Sequence, residues 1–360
     1  MTKNAKKSYN IRILINYIYS PHMKRYALID TANTFFRARH VASRNSDPEE
    51  KAAFALHLTL ASVNQVVRKY SIDHVVFCLE GRSFRKDIYA PYKKNRVVDA
   101  QSVTEDEKAE NDLFWSTYEQ FTTFIKEKTN VSVLRHERAE ADDMIARFIH
   151  LHPEDEHFII STDSDYIQLI APNVRQYNGV TNELITLEGY FKDSGKPVID
   201  KKTKQNKLLE ASPEYLLFKK LIRGDAGDNV FPAYPGVREK GSKNKIGIME
   251  AYEDRDKQGF NWNSFMLTRW TDHEGVEHRV RDCYERNKTL IDLKAQPQEI
   301  KDAVDQRIKE SVRVTTTPQV GVHFMKFCGR YALEKISEQA EAYAKWLNAP
   351  YTGTIHEQST

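Results

Sequence analysis

Four short apolar runs, each leading into carboxylates, constrain this chain more than any other feature. YALID (26–30) ends on Asp30 and HVVFCLE (74–80) on Glu80. VSVL (131–134) precedes the cluster of Glu140, Asp142 and Asp143, and FIISTDSD (158–165) contains Asp163 and Asp165. Such runs, rich in Val, Ile, Leu and Phe, read as strands buried on both faces. Residues 50–69 and 106–128 between them carry helical spacing. Alternating strands and helices predict an α/β fold with a mostly parallel sheet, and such sheets bind ligands beyond the carboxyl ends of their strands. Seven carboxylates then share one edge. An isolated E-x-D-D is most often only a helix start, where each acid gains roughly 0.3–1 kcal/mol from the helix dipole. The shared position of all seven is harder to explain in that way. Anions this close repel one another, and an oxygen-preferring divalent cation relieves the repulsion.

At 360 residues the chain is too long for one compact core. Residues 1–22 hold Lys3, Lys6, Lys7 and Arg12 and no acid, and read as a dispensable basic arm. A first domain is expected over 23–207, ending in a lysine-rich hairpin (192–207). A helical second domain is expected over 208–349, then a frayed tail over 350–360. Helical spacing over 213–223 ends in RGDAGDN, which adds Asp225 and Asp228. Net charge is only +3, so the distribution of charge has to identify a polyanion partner. Residues 82–96 hold Arg82, Arg85, Lys86, Lys93, Lys94 and Arg96 against Asp87, interleaved with Phe84, Tyr89 and Tyr92. That pattern suits phosphate tracking with aromatic stacking, although a solvated loop has the same composition. Cys78, Cys283 and Cys328 lack metal-ligand spacing and read as reduced thiols of a cytoplasmic protein. No run is long enough to span a membrane.

Read in order, LIDTANTFFRARH (28–40), VVFCLEGRSFRKDIYAPYKKNR (75–96), EADDMI (140–145), ISTDSDYIQL (160–169) and RGDAGDN (223–229) resemble the motifs of the flap endonuclease superfamily of 5′ nucleases. The likeness is to its phage branch, which includes the T-even ribonucleases H, and YERNKTLIDL (284–293) adds a weaker echo. The resemblance implies a PIN-like domain with a helical arch at about 82–115 and a helix–hairpin–helix-type C-terminal domain. It implies two Mg²⁺ ions, with Mn²⁺ as a substitute. One is assigned to Asp30, Glu80, Glu140 and Asp142, the other to Asp143, Asp163, Asp165, Asp225 and Asp228, some through water. It places Lys93 at the arch base facing the scissile phosphate, with Arg96 as the next candidate for that role. Arg82, Arg85, Lys93, Arg96 and Arg37 are the phosphate candidates near the arch.

Two features depart from the family. Glu80 stands where Asp is usual, and YPGVREKGSKNKIG (234–247) is longer and richer in lysine than the usual tight hairpin. Duplex phosphates are expected on Lys240, Lys243 and Lys245, while a potassium ion there is doubtful. The implied activity is 5′→3′ exonuclease and flap endonuclease cleavage of DNA and RNA–DNA duplexes, removing RNA primers in phage replication. A monomer is expected, with a single-stranded-DNA-binding protein and a sliding clamp as the partners the family suggests. The alternatives are a PIN-like ribonuclease on single-stranded RNA and a non-catalytic flap- or junction-binding protein.

Overall fold

The computed structural model describes residues 23–41, 47–96, 104–312 and 316–356. The basic arm over 1–22, and with it the expectation that it is dispensable, lies outside the described residues.

Five parallel strands form the centre of one sheet: β1 (Arg25–Asp30), β2 (His74–Cys78), β3 (Ser132–Leu134), β4 (Glu156–Ile160) and β5 (Val174–Asn178). Antiparallel β6 (Glu183–Thr186) and β7 (Gly189–Lys192) extend it, in the order β3-β2-β1-β4-β5-β6-β7. Tyr26–Asp30 and all of β2 are buried, which is why they read as unbroken apolar runs rather than alternating ones. The lysine-rich stretch continues the antiparallel pattern, with Val198 N donating to Tyr190 O (2.8 Å) and Lys207 N to Val198 O (2.7 Å).

Helices cover both faces. On one lie α1 (Thr31–Val41), α2 (Pro48–Tyr70) and, after the four-residue α3 (Arg85–Ile88), α4 (Glu105–Lys128). Local sequence fixes where they start. Asp47 accepts from Glu50 N (2.7 Å) ahead of Pro48, and Thr104 and Glu107 cap α4 reciprocally. On the other face lies α5 (Ala141–Leu151), whose Met144, Ile145 and Phe148 join Leu28, Val76 and Ile159 in one buried cluster.

After the sheet comes a lobe with its own core. It comprises α6 (Pro213–Arg223), α7 (Ile248–Glu253), α8 (Phe260–Leu267), the hairpin β8 (Arg269–Thr271) and β9 (Glu277–Arg279), and α9 (Val280–Ile291). Phe218, Ile222, Trp262, Phe265 and Met266 are buried at its centre.

The expected single domain over 208–349 is divided. In α10 (Gln298–Ser311), Ile300, Val304 and Ile308 complete the core under α5. From α11 (Val320–Arg330) and α13 (Ala340–Leu347), on either side of α12 (Glu334–Ser337), Phe324, Phe327, Trp346 and Leu347 pack with α2 and α4. The expected tail is anchored as far as it is described: Tyr351 is buried, its hydroxyl 2.6 Å from His152 Nε2. Apolar residues on those late helices fit either arrangement, and only tertiary contact decides which core they serve. Among the described residues no helix is long and apolar enough to cross a membrane.

Candidate metal centre

Three adjacent strands bring the first carboxylates to one edge. Asp30 ends β1, Glu80 follows β2 and Asp163 follows β4. Neighbouring strands lie about 4.8 Å apart, so these groups are close by construction. Asp30 is buried and accepts from Tyr166 OH (3.0 Å), Ser161 Oγ (3.1 Å) and Asn33 N (3.2 Å). Burial raises its pKa to about 6 despite these bonds. Glu80 accepts from Ala141 N at 3.3 Å. Its surface is open to the cleft, yet the walls displace enough bulk water that desolvation leads the causes pushing it up to about 8, ahead of repulsion from Asp30 and Glu140. The extra methylene of Glu80 does not remove it from the cluster.

The start of α5 answers for the crowded E-x-D-D. Glu140 is buried and accepts from Tyr92 OH (2.8 Å), Ser83 Oγ (3.0 Å), Arg85 Nη1 (3.0 Å) and the Lys93 ammonium. Burial alone raises its pKa, but Lys93 and Arg85 outweigh it and hold the carboxyl at about 2. Asp142, half-buried, is pushed well up by burial and by the charge of Asp143. Oxygens of Glu140, Asp142 and Asp143 lie within 4.8 Å of one another. The two Asp143 oxygens are already occupied. Arg85 forks onto both (2.8 and 2.8 Å), Gln296 Nε2 donates to one (2.9 Å) and Glu140 N to the other (3.0 Å). Asp143 therefore fixes the helix start and the guanidinium.

This corrects the reading of Arg85 as a phosphate ligand. Its residue is 1% exposed, and its Nε donates to Leu290 O at 2.7 Å. Phe84 and Tyr92, expected as stacking aromatics, are buried too.

A second group forms around Lys220 of α6, which bonds Asp225 Oδ2 at 2.7 Å and Asp165 Oδ1. Burial raises the pKa of Asp165 more than Lys220 lowers it, whereas for Asp225 Lys220 prevails and the pKa falls. Asp163 is exposed, and its Oδ1 accepts from Asp165 N at 3.0 Å. The loop carrying Asp225 depends on Gly224, at φ 73°, where an added Cβ would lie 2.3 Å from Val230 O. Asp228 bonds toward the other side, accepting from Arg96 Nη2 (2.6 Å) and Tyr92 OH (3.0 Å), with Lys93 Nζ at 3.7 Å. Lys93 itself has left-handed backbone (φ 54°), an uncommon conformation for a non-glycine residue, and donates its N–H to Asp228 O at 2.9 Å. Lys94 beside it is exposed. Asp143 thus bonds Glu140 directly, while Asp228 shares Tyr92 and Lys93 with Glu140 and donates its N–H to Asp225 Oδ1 (3.4 Å), joining the two groups.

The donor set fits divalent cations. One oxygen each of Glu80, Asp142, Asp163 and Asp165 makes no hydrogen bond to a described residue. Nine carboxylates converge here, with Arg85, Lys93, Arg96 and Lys220 as the basic groups bonded to them. That excess of negative charge, on oxygen-only donors, is the chemistry hard cations match. Lys220, Tyr166 and Ser161 were not found from the sequence. Lys220 lies within an ordinary amphipathic helix, and only its position five residues before Asp225 hints at its role.

Arg37 is exposed, and Arg82 is exposed while paired with Asp87. On the helical lobe Lys240, Lys243 and Lys245 are exposed. The longer hairpin there is still tight. Glu250 accepts from Gly241 N (3.0 Å) and Gly247 N (2.9 Å), and a Cβ on Gly247 would lie 2.4 Å from Gly241 N. The extra length forms a closed turn in which Ser242 N donates to Lys245 O (2.7 Å).

Residues 25–195 match the family model of the 5′-3′ exonuclease N-terminal, resolvase-like domain. Among curated relatives, DNA polymerase I of Rhizobium leguminosarum is 28% identical over 51% of this chain, and the match spans 15% of that protein. The 5′-3′ exonuclease of Aquifex aeolicus is 25% identical over 68% of this chain and 75% of its own length. Among solved structures, the T5 5′-exonuclease with bound zinc has a TM-score of 0.55 at 22% identity, covering 80% of this chain and 99% of its own. The phage T5 D15 flap endonuclease, in complex with DNA and metal ions, has a TM-score of 0.52 at 21% identity over 80% of this chain and 98% of its own. The sheet with carboxylates along one edge thus lies within the residues that match the 5′-3′ exonuclease N-terminal, resolvase-like domain, and the chain is similar in sequence to 5′-3′ exonucleases and in fold to the T5 proteins.

Proposed function

We propose that this chain is a divalent-metal-dependent 5′ nuclease that hydrolyses DNA and RNA–DNA duplexes at 5′ ends and flaps. The observation that carries the reading is the convergence of nine carboxylates, four with a spare oxygen, beside Lys93 and Lys220. Asp30, Glu80, Glu140 and Asp142 would hold one cation, and Asp163, Asp165 and Asp225 the second, with Asp143 and Asp228 supporting. Mg²⁺ is the working ion and Mn²⁺ its substitute. Bound there, such cations activate a water and offset the charge gained by the phosphate in an in-line displacement.

The protein's own groups orient the reaction. Tyr166, Ser161 and Asn33 N–H fix Asp30, while Tyr92 ties Glu140 to Asp228. Lys93, on a backbone fixed by Asp228, presents an ammonium to the non-bridging oxygens of the scissile phosphate, where it stabilises the transition state most. Arg96 lies beside it at the mouth. Lys240, Lys243 and Lys245 hold the duplex and Arg37 and Arg82 the nearby strand. In the cell this activity removes RNA primers during phage DNA replication in the bacterial cytoplasm. A monomer does this work, with a single-stranded-DNA-binding protein and a sliding clamp as partners.

The test compares a 5′-labelled DNA flap, an RNA-primed duplex and single-stranded RNA, each with and without Mg²⁺. Cleavage of the first two only, and only with metal, is expected. Cleavage confined to single-stranded RNA would mark a PIN-like ribonuclease, and flap binding without cleavage a non-catalytic junction binder.

A further inference from the structure

Beside the carboxylates, on the side away from Lys93, is a cavity of about 220 Å³. Thr34 and Arg37 of α1, Ser62 of α2, Thr162 after β4, and Val180 and Asn182 of the β5–β6 turn line it. Three observations set it apart from a packing gap. First, it shares its wall with the acidic site: Ser161, also in the lining, donates to Asp30, and Thr162 lies next to Asp163. Second, its polar groups are organised and partly free. Asn33 Oδ1 accepts both the N–H (3.1 Å) and the hydroxyl (2.9 Å) of Thr162. Asn178 Oδ1 folds the turn by accepting from Val180 N (3.0 Å) and Thr181 N (3.1 Å). Asn182 accepts from Tyr177 OH (3.0 Å) through its oxygen, which leaves its amide NH₂ without a described partner, as are Ser62 Oγ and the Arg37 guanidinium. Third, the backbone closes tightly at its edge, where a Cβ on Gly179 would lie 2.7 Å from Ser62 Oγ.

We propose that this cavity receives the base of a single nucleotide flanking the scissile phosphate, with Arg37 at its mouth on the sugar–phosphate chain. This rests on the nuclease reading above. Leu58, Ile160 and Val180 offer apolar walls to the faces of a base, and the Asn182 amide and Ser62 hydroxyl offer polar groups to its edge. The volume is below the roughly 300–1,000 Å³ of drug-sized sites, so one base enters and a dinucleotide does not. The cavity floor lies between β4 and β5, one and a half strand spacings or about 7 Å from β1 and Asp30. That is the reach of a base from its own phosphate. A strand crossing from Lys93 over the carboxylates therefore brings its next base to this opening.

The experiment is an abasic scan. Flap substrates carrying one abasic nucleotide, moved stepwise across the incision site, are cut under single-turnover conditions with Mg²⁺ by the wild type and by Ser62→Leu, which fills the cavity. For the wild type, one position adjacent to the incision should be slowed roughly tenfold, the lower end of what an apolar pocket contributes to discrimination. In Ser62→Leu the intact substrate should be cut at that reduced rate and the positional effect should vanish. Val180→Trp, at the exposed rim, should reproduce this if Ser62→Leu does not fold. A wild type that cuts flaps with a flat scan, or a positional effect that survives both variants, overturns the subsite and leaves the nuclease reading standing. A wild type that cuts no flap in any divalent metal overturns both.

Discussion

Replacing Arg85 with alanine separates two incompatible roles for one residue. As a phosphate ligand on the arch, Arg85 would contribute to affinity and little to stability. The structure makes it the buried pin of a joint. Its guanidinium bonds Asp143 twice and Glu140 once at the start of α5, and its Nε bonds Leu290 O near the end of α9. Asp143, wholly buried, would keep only Gln296 and Glu140 N. Removing one partner of a buried ion pair costs about 3–5 kcal/mol, because the other charge is left uncompensated. Each kcal/mol moves the melting temperature of a domain of 150–250 residues by about 2–4 °C, and less in a longer chain, so a fall on the order of 5–10 °C is expected. Arg82→Ala is the control: that side chain is 61% exposed, and such surface changes stay within about 0.5 kcal/mol. Calorimetry gives the transition, and a salt titration of flap binding in Ca²⁺ gives the phosphate count. An unchanged melting temperature, with a salt slope flattened by about one for the lost phosphate contact, would refute the joint and restore Arg85 to the DNA.

Three further outcomes are expected. Lys93→Ala should lower the single-turnover rate by on the order of 10²–10³-fold with a much smaller loss of flap affinity, while exposed Lys94→Ala stays mild; the reverse pattern would contradict the inward turn of Lys93. Asp30 and Glu80 titrate at about 6 and about 8 instead of 3.8 and 4.5; with folded pKa values above the unfolded ones, they stabilise the metal-free protein fully below about pH 4 and lose that effect as pH rises through 6 and 8. Mg²⁺, which needs both ionised, should therefore raise the melting temperature more at about pH 8.5 than at about pH 5.5, and equal increments in thermal scans would count against cation binding by these groups. Replacing Lys240, Lys243 and Lys245 together with alanine should flatten the dependence of log K on log salt by up to roughly 3 for duplex-containing flaps, with much less change for isolated single strand; equal losses on both would argue against a duplex site.

The carboxylate edge was legible because it depends on backbone alone. A buried parallel strand announces itself as an apolar run, and whatever follows it must emerge at the sheet edge, so Asp30, Glu80 and Asp163 could be grouped before any side chain was placed. Side-chain direction in short irregular segments was not legible. Residues 82–96 looked like one basic ribbon, yet Arg85 and Tyr92 turn inward while Arg82, Lys94 and Arg96 remain exposed. Nothing in RSFRKDIYAPYKKNR marks which cation faces Asp143. Lys220 was hidden for the same reason, since a lysine on a helix normally reads as solvated surface. The outer strands β5–β7 were missed because they are short and only partly buried.

The return of the late helices to the first sheet has a consequence during synthesis. Phe324, Trp346 and Tyr351 are buried beside strands that begin at Arg25. A ribosome therefore holds an incomplete sheet core until those residues emerge, although every carboxylate of the site has been made by Asp228. Closing contacts across so much sequence is entropically slow, and an unfinished sheet face exposes apolar surface that favours aggregation. The helical lobe between α6 and α9 has a separate core and can form first. The acidic edge therefore depends on a sheet whose faces are completed only by helices that lie beyond the lobe in the chain.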